Sequence, residues 1–307
     1  MSKVMLIFNP AADRGRSGQK ASDLRAMVDK MGGAEWIATE YPAHAAEIAA
    51  EAGKKKFDTV VAMGGDGTVH EVVNGLMEVQ PKRRPNLGVV PIGSGNDFAW
   101  ASGISMNLQE AMETVFRGSP HPIDIGSVTD GTGRTEYWDN SAGMLMVAAI
   151  NIQSRRITRI YGFAMYLLAT IRGIIENYNP TKVKLTVDGE TSEHELIVFV
   201  VGNGPREGGG FLTNPDAKND DGIFNYFMSD HISRPMMFRL LPEIMQGRQE
   251  RFPFVTFGKC KQLHLEADRA VPIHLDGELW APYEADVREL TIEMHPAAIN
   301  LIRKEAV

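Results

Sequence analysis

The sequence has 307 residues, more than the roughly 250 at which single hydrophobic cores tend to split, so two domains are expected. Hydrophobic residues make up 43% and charged residues 23% of the chain, a composition that excludes extensive disorder. The formal net charge of −7 excludes the global basic field of a nucleic-acid coat protein, and the single cysteine, Cys260, excludes an internal disulfide and favours a reducing compartment.

No segment has the pattern of a secretory signal or a membrane span. The apolar stretch before Asn9 is too short for the hydrophobic region of a signal peptide. The longest uncharged apolar run, from Ile160 to Ile171, is well short of the roughly 18 residues that suggest a transmembrane helix. A cytoplasmic chain is therefore expected.

Residues 1–125 alternate between buried-strand and helix patterns. Val4–Phe8 is a continuous apolar run, typical of a strand that is covered on both faces. Further strands are predicted at Glu35–Thr39, Thr59–Met63 and Leu87–Ile92, and helices at Gly18–Met31, Ala43–Lys56 and Val69–Met77. Strands separated by helices predict right-handed crossovers and a three-layer α/β domain with a parallel sheet.

Residues 126–295 are rich in strand patterns instead. Lys182–Asp188 and Thr191–Gly202 are joined by a hairpin-type turn. Shorter strands are predicted at Phe254–Phe257, Leu263–Ala267, Val271–Leu275 and Val287–Met294. Short strands with tight turns predict an antiparallel β-sandwich or a partial barrel as the second domain, and the sandwich is the fold expected here. Residues 296–307 are predicted to be helical and to return to the first domain.

One amphipathic helix is predicted from Ile157 to Tyr178, because apolar residues recur there at spacings of three and four. This stripe contains Ile157, Ile160, Tyr161, Ala164, Leu167, Leu168, Ile171, Ile174, Ile175 and Tyr178. Packing of this apolar stripe on the β-sheet accounts for the pattern. Additional apolar side chains and flanking arginines allow a second interpretation, contact with a membrane surface. They are Phe163, Met165, Tyr166, Arg155, Arg156, Arg159 and Arg172.

Two glycine-rich turns follow neighbouring predicted strands, Gly64-Gly65-Asp66-Gly67-Thr68 and Pro91-Ile92-Gly93-Ser94-Gly95-Asn96-Asp97. Glycines let a backbone approach phosphate oxygens, and the N-terminus of a following helix directs N–H groups at them. The carboxylate of Asp66 favours a Mg²⁺ ion that bridges it to phosphate, since like charges repel. A plain helix cap is the alternative at Asp66, Thr68 and Asp97. Because both turns end parallel strands, they are expected to line one crevice.

Two segments resemble the two nucleotide motifs of the diacylglycerol kinase catalytic-domain family. They are GGDGTVHEVVNGL, from Gly64 to Leu76, and PIGSGNDFA, from Pro91 to Ala99. That family includes bacterial soluble lipid kinases and is similar to sphingosine and ceramide kinases. Further matches cover nearly the whole chain: Asn9-Pro10, Thr39, Asp124, Gly202-Asn203, Gly208-Gly209-Gly210, Pro215-Asp216-Ala217, Asp221-Gly222 and Asp276-Gly277-Glu278. The GGDGT motif is shared with NAD kinases and phosphofructokinases. The GSGND and DGE motifs narrow the resemblance to the diacylglycerol kinase family. It implies a phosphofructokinase- or NAD-kinase-like first domain and an active site in the interdomain cleft.

The resemblance also implies roles for individual residues. Asp276 would be the general base, and a structural magnesium would be held by the side chain of Asp221 and the carbonyls of Lys218 and Ile223. Residues expected at the ATP site are Asn9, Thr39, Gly64, Gly65, Asp66, Gly67, Thr68, Glu71, Ser94, Asn96 and Asp97. Without the family, Asp276-Gly277 and the segment 219–222 would be interpreted as ordinary turns.

The expected function is that of an ATP- and Mg²⁺-dependent lipid kinase, with diacylglycerol as acceptor and phosphatidic acid as product. An NAD kinase is the alternative enzyme, and the GSGND turn and the apolar helix argue against it. A catalytically silent nucleotide- or lipid-binding regulator is the alternative outside enzymes, and the retained aspartates at 66, 97, 221 and 276 argue against it. The expected partner is a lipid at a membrane surface, with transient peripheral association. Nucleic acid is not expected, and homodimer formation is left open.

Overall fold

The computed structural model describes residues 3–157, 159–160 and 162–305, apart from the side chains of Arg14 and Lys20. Tyr161 of the predicted apolar stripe lies outside the described residues. The chain forms two compact units. Unit 1 contains the chain up to Ile125 and again from Pro296, and unit 2 contains Gly126–His295.

Unit 1 is built on a parallel sheet. Its strands are β1 (Val4–Phe8), β2 (Glu35–Ala38), β3 (Thr59–Gly64) and β4 (Asn86–Pro91), and its helices are α1 (Ala21–Lys30), α2 (His44–Lys54), α3 (Asp66–Met77), α4 (Asp97–Ala101) and α5 (Leu108–Arg117). The strands lie in the order β2-β1-β3-β4, each pair parallel. Val4, Leu6 and Phe8 share a core with Leu24 of α1 and Met112 of α5. The predicted parallel α/β domain is confirmed.

Unit 2 is an antiparallel β domain that has three α-helices among the residues that the structure describes. Its elements are β6 (Thr135–Trp138), β7 (Ser141–Leu145), α6 (Met146–Arg155), α7 (Gly162–Glu176), β8 (Thr181–Val187), β9 (Glu190–Gly202), β10 (Phe224–Asp230), α8 (Arg234–Met245), β11 (Val255–Cys260), β12 (Gln262–Ala267), β13 (Ile273–Leu275) and β14 (Glu278–Ala281). Two further strands, β5 (Ser119–Asp130) and β15 (Glu289–Arg303), contain residues of both units.

Antiparallel pairing links the strands of unit 2 in the order β14-β13-β7-β9-β8-β12-β15, and β10 connects β9 to β11. Alternate side chains on these strands enter a core that contains Trp138, Phe199 and Phe224. The predicted β-sandwich class is confirmed. Its strands β5, β6, β7, β10 and β14 were not predicted from the sequence.

The helix predicted from Val69 begins three residues earlier, at Asp66. Gly65 adopts an extended conformation with φ −100° and ψ −168° and is the N-cap. The amides of Thr68 and Val69 already donate to the carbonyl of Gly65, at 2.9 and 3.1 Å. The Gly-Asp-Gly-Thr segment therefore forms the first turn of α3 and not a loop before it.

The helix predicted for residues 296–307 is wrong. Strand β15 continues through Pro296 to Arg303 and pairs in parallel with β4 through Leu301 and Leu87. Ala297 has a φ of 51°, and its amide donates to the carboxylate of Asp124 at 2.8 Å. This contact satisfies the backbone at an irregular point of the strand, so the chain stays extended although the segment is rich in alanine.

The helix predicted for Ile157–Tyr178 is shorter in the structure and begins at Gly162, whose φ is 58°. Of the apolar residues proposed to face a membrane, Met165 is buried, and Phe163 and Tyr166 are partly exposed. The rings of Phe163 and Phe211 are 5.5 Å apart. Any side chain at Gly210 would meet the Phe163 ring. Among the described residues, no helix combines the length and apolar character needed to cross a bilayer.

Candidate active site

The two glycine turns of unit 1 are in backbone contact. The amide of Ile92 donates to the carbonyl of Gly64 at 2.9 Å, which joins the ends of β3 and β4. A Cβ on Gly65 would lie 3.1 Å from the Cα of Gly93, and a Cβ on Gly93 would overlap Gly65. Asn96, in the left-handed region with φ 54°, closes the second turn by bonding both the N–H and the carbonyl of Gly93. Glycine at both positions is what allows this approach.

Two carboxylates converge beside the second turn. A Cβ on Gly95 would lie 2.8 Å from Oδ2 of Asp66 and 3.7 Å from Oδ2 of Asp97. Oδ1 of Asp66 accepts the amide of Phe98 at 3.1 Å, which ties the first turn of α3 to the first turn of α4. Asp97 is only 6% exposed. Two carboxylates that share one backbone neighbour repel each other, and a divalent cation with oxygen ligands would relieve that repulsion.

The cap alternative is met in part, because the carboxylate of Asp66 accepts the amide of Phe98 in the first turn of α4. Asp66 and Asp97 are themselves the first residues of α3 and α4, and the N-caps are Gly65 and Asn96, neither of which makes a side-chain capping hydrogen bond. The hydroxyl of Thr68 accepts a hydrogen bond from the amide group of Asn9 at 2.9 Å. Thr68 also fills the space that a Cβ on Gly64 would need. Asn9 and Thr68 thus connect the end of β1 to the start of α3.

The other residues expected at the ATP site have different surroundings. Thr39 follows β2, and its amide donates to the carbonyl of Phe8 at 2.8 Å, so it lies at the carboxyl edge of the sheet. Ser94 is exposed on the second turn. The two carboxylate oxygens of Glu71 accept the amides of Ala43 and Ala45, at 2.9 and 3.1 Å. Glu71 therefore caps the start of α2, a structural task that sequence reasoning did not foresee.

Asp276 occupies a tight hairpin in unit 2. It lies between β13 and β14 with φ 52°, and Gly277 follows with φ 84°. Positive φ at both residues is typical of a two-residue hairpin turn. The carboxylate is 7% exposed and accepts the amides of Asp139, Asn140 and Ser141, at 3.0, 2.8 and 2.9 Å. Asp276 is therefore held in a fixed orientation by the chain that leads into β7.

Residues around this hairpin were missed by sequence reasoning. Asn151 donates to the carbonyl of Gly277 at 2.6 Å, and Arg155 pairs with Glu278 at 2.8 Å. Both belong to α6, which therefore supports the DGE turn. Arg155, one of the arginines in the membrane interpretation, thus forms an ion pair with the residue that follows Gly277. The sequence offered no local signal for these contacts, because the partners are more than 100 positions apart.

The segment proposed as a structural magnesium site has a sparse set of ligands. Asp221 and Lys218 are exposed, and Oδ1 of Asp221 accepts the amide of Ile223 at 3.3 Å. Within the part of the chain that the structure describes, no three His, Cys, Asp or Glu side chains converge on a point suited to a metal ion. A site here would depend on backbone carbonyls and water beside one carboxylate, a donor set that Mg²⁺ accepts.

Each unit offers one part of a phosphoryl-transfer chemistry. Unit 1 presents glycine turns and helix N-termini at the carboxyl edge of a parallel sheet, with two carboxylates beside them. These groups suit a phosphate-bearing ligand and a divalent cation. Unit 2 presents a fixed carboxylate on a hairpin. The class that these features define is a nucleotide-dependent phosphotransferase.

Comparison with known proteins agrees with this class. The diacylglycerol kinase catalytic domain model matches residues 3–128, and the YegS C-terminal NAD kinase beta sandwich-like domain model matches residues 141–303. A diacylglycerol kinase of Bacillus subtilis is 29% identical over 91% of this chain and 90% of its own length. A protein of Chromohalobacter salexigens named "Probable lipid kinase YegS-like" is 32% identical over 75% of this chain and 73% of its own length.

A crystal structure of a diacylglycerol kinase from Bacillus anthracis shares the fold. Its TM-score is 0.74 at 23% identity, over 100% of this chain and 98% of that one. The chain therefore belongs to the diacylglycerol kinase catalytic-domain family and carries the C-terminal β-sandwich domain found in its YegS-like members.

Proposed function

We propose that the protein is an ATP- and Mg²⁺-dependent lipid kinase that phosphorylates the free hydroxyl of diacylglycerol and produces phosphatidic acid. The observation that carries the proposal is the pair of carboxylates at Asp66 and Asp97 beside the glycine turn at Gly95. In a member of a kinase family, this is the place where phosphates and a cation need to be held together.

ATP is assigned to unit 1. The backbone at the start of α3 and at Ser94-Gly95 would bind its phosphates, because a helix N-terminus attracts negative charge. The N–H of Gly93 is already bonded to Asn96 and would not take part. The hydroxyl of Ser94, which is exposed, is a further donor. Asn9 is already bonded to Thr68, so it supports the shape of the turn from behind.

Asp66 and Asp97 are the residues that would hold a Mg²⁺ ion at the phosphates. Their carboxylate oxygens are the hard ligands that Mg²⁺ prefers, and both flank Gly95. When bound, the ion would neutralise phosphate charge. Asp221, with the carbonyls of Lys218 and Ile223, remains a proposal for a second, structural ion, supported by the family resemblance and by the oxygen donors alone.

Asp276 is assigned as the general base that accepts the proton of the lipid hydroxyl. The three backbone amides that bind its carboxylate fix its orientation, as general-base catalysis requires. The same amides would give a plain turn residue its stability, so the assignment depends on a kinetic test.

Peripheral membrane association is also proposed. The surface assigned to it contains fewer residues than the one predicted from the sequence. Arg156, Arg159 and Arg172 are exposed, and so are Ile160 and Ile175, at 39% and 56%. Basic side chains beside exposed apolar ones favour an anionic bilayer. Ile175→Asp is expected to weaken co-sedimentation with vesicles that contain phosphatidylglycerol. Met106→Asp, a change at a similarly exposed residue of unit 1, is the control and is expected to bind normally.

A panel assay with labelled ATP tests the function as a whole. Diacylglycerol in mixed micelles, phosphatidylglycerol, a sphingoid base and NAD are offered separately, with and without Mg²⁺. Labelling of diacylglycerol above the other acceptors is expected, and it should require Mg²⁺. Labelling of NAD would favour the NAD kinase alternative. No labelling of any acceptor, together with ATP binding by calorimetry, would favour the silent regulator.

A further inference from the structure

His274 lies near Asp276, whose charge acts on its ring. His274 is the middle residue of β13, and Asp276 is the first residue of the turn that follows this strand. His274 is 4% exposed and is paired in register with Gly143 of β7. Its ring occupies the space that any side chain at 143 would need. The imidazole is therefore packed in a fixed position between the hairpin and β7.

The hydrogen bonding of His274 defines its protonation. Nδ1 accepts the amide of Gly277 at 3.3 Å, so this nitrogen carries no proton. The pKa of His274 is lowered to about 4, chiefly by burial, with Asp276 acting in the opposite direction and Arg155 contributing to the decrease. The ring is neutral at physiological pH, and its single N–H is on Nε2.

Glu207 faces that Nε2–H. Its Oε2 lies 3.6 Å from Nε2 and accepts the hydroxyl of Ser141 at 3.2 Å. The distance to the ring is too long for a hydrogen bond, and a neutral ring forms no ion pair. What remains is the attraction between a carboxylate and the N–H dipole, in a site where both side chains are nearly buried. Ser141 in turn donates its amide to Asp276.

We infer that Glu207 and His274 are positioning residues for Asp276. Glu207 holds His274 in the Nε2–H tautomer, and the bare Nδ1 then fixes Gly277 and the hairpin turn that carries the carboxylate. The tautomer and its contacts are properties of unit 2 alone. The kinetic consequence rests on the proposed function, in which Asp276 is the base.

Two substitutions at His274 separate the effect of the hydrogen-bond acceptor from the effect of the imidazole ring. His274→Asn places its carbonyl oxygen near the position of Nδ1 and keeps an acceptor for Gly277, whereas His274→Leu has no acceptor. His274→Leu is expected to lower kcat about 10- to 100-fold with KM for ATP unchanged, because small displacements of a catalytic group cost that much. His274→Asn is expected to recover most of the loss. His264→Leu, on β12, is the control and is expected to keep normal kcat.

A purely structural role would lower the melting temperature of both variants without separating their kcat values. Equal kcat for His274→Asn and His274→Leu, measured on folded protein, would overturn the inference. If Asp276→Asn also kept full activity, the proposed function would have failed, and not the positioning role.

The tautomer is measured without any activity, by long-range ¹H–¹⁵N NMR correlation of the histidine rings. Wild-type His274 is expected to show the Nε2–H tautomer from pH 5 to pH 8. Glu207→Gln is expected to shift part of the population to Nδ1–H, since its amide can donate to Nε2. An Nδ1–H tautomer in the wild type, or no effect of Glu207→Gln, would overturn the inference even if His274→Leu failed to fold.

Discussion

Asp276 and Ser141 bond to each other in both directions. The amide of Asp276 donates to the carbonyl of Ser141 at 2.8 Å, and the amide of Ser141 donates to the Asp276 carboxylate at 2.9 Å. The same carboxylate accepts two further amides from the chain just before β7. A substitution at Asp276 therefore changes a structural junction as well as a charge.

Asp276→Asn is expected to lower kcat by about 10²- to 10⁴-fold, the usual contribution of a general base. The new amide group will face one of the three backbone donors, so the free energy of unfolding is expected to fall by about 1–3 kcal/mol. Steady-state kinetics and urea unfolding measure the two effects, and calorimetry should show unchanged ATP affinity. Wild-type turnover of Asp276→Asn would show that Asp276 is a structural residue of the hairpin turn and not the general base.

Asp66 can be tested with a pair of variants that differ in one hydrogen bond. Asp66→Asn keeps an oxygen that accepts the Phe98 amide, and Asp66→Ala does not. Both are expected to lose phosphoryl transfer, because both lose the charge that would hold Mg²⁺. Only Asp66→Ala is expected to be less stable, with a free energy of unfolding about 1 kcal/mol lower in urea titrations. Near-normal turnover of Asp66→Asn at saturating Mg-ATP would contradict the metal role.

Gly93→Ala is expected to damage the contact between the two glycine turns. Its Cβ would overlap Gly65, and the displaced backbone should cost about 1–3 kcal/mol of unfolding free energy, as overpacking does elsewhere. ATP affinity, measured by calorimetry, should fall as well. Gly131→Ala is the control, because the nearest atom to its Cβ would be 3.5 Å away. Equal stability of the two variants would show that the turns are not in contact in solution.

His274 predicts a specific dependence of stability on pH. Its pKa is lowered from 6.5 to about 4 in the folded protein, chiefly by burial, so the unfolded chain binds the proton more readily. Stability is therefore lost as the pH falls from about 6.5 to about 4, by roughly 3 kcal/mol in total. Asp276, Glu207 and Arg155 are the charged groups that face the ring.

His274→Asn has no group that titrates in this range, and its unfolding free energy should fall less steeply with acid. Urea titrations at pH 7, 6, 5 and 4.5 measure the difference between the two proteins. Parallel curves would show that the ring is already protonated in the folded state, or that it is reached by solvent.

Cys260 is expected to be inert in the folded protein. Burial raises the pKa of its thiol to about 12, and the carboxylate of Asp188 adds to the effect, so almost no thiolate exists at pH 8. Reaction with Ellman's reagent should be negligible under native conditions and complete in 6 M guanidinium chloride. Rapid native labelling would contradict the burial of Cys260 at the end of β11.

The sequence predicted unit 1 better than unit 2 for a physical reason. Val4–Phe8 and Thr59–Met63 are covered on both faces, so their apolar runs are visible without knowledge of their partners. The segment Ser141–Leu145 is just as buried and as long as Val4–Phe8, but it begins with three small residues, and β9 and β13 pair with it. Pairing with distant strands leaves no local pattern.

The candidate site divides in the same way. The glycine turns and Asp66 could be located because spacing after a strand fixes where a turn lies in a parallel sheet. The roles of Glu71 and His274 could not. Glu71 caps a helix that precedes it by about 27 positions, and His274 acts on a turn whose other contacts come from residues 139–141 and 207. Their separation of two positions is the one sequence signal that links His274 to Asp276, and it is weak because Asp276 lies in the turn after β13, where strand alternation does not apply.

Strand β15 has a consequence for the synthesis of the protein. Leu301 pairs with Leu87, so the sheet of unit 1 takes one of its strands from a segment that follows all of unit 2. A ribosome-bound chain that has emerged only as far as Ile125 lacks this strand, and β4 is left with an open edge during the translation of 170 further residues. Co-translational folding of unit 1 thus finishes last although it starts first, and a nascent chain is exposed to edge-to-edge aggregation for that interval.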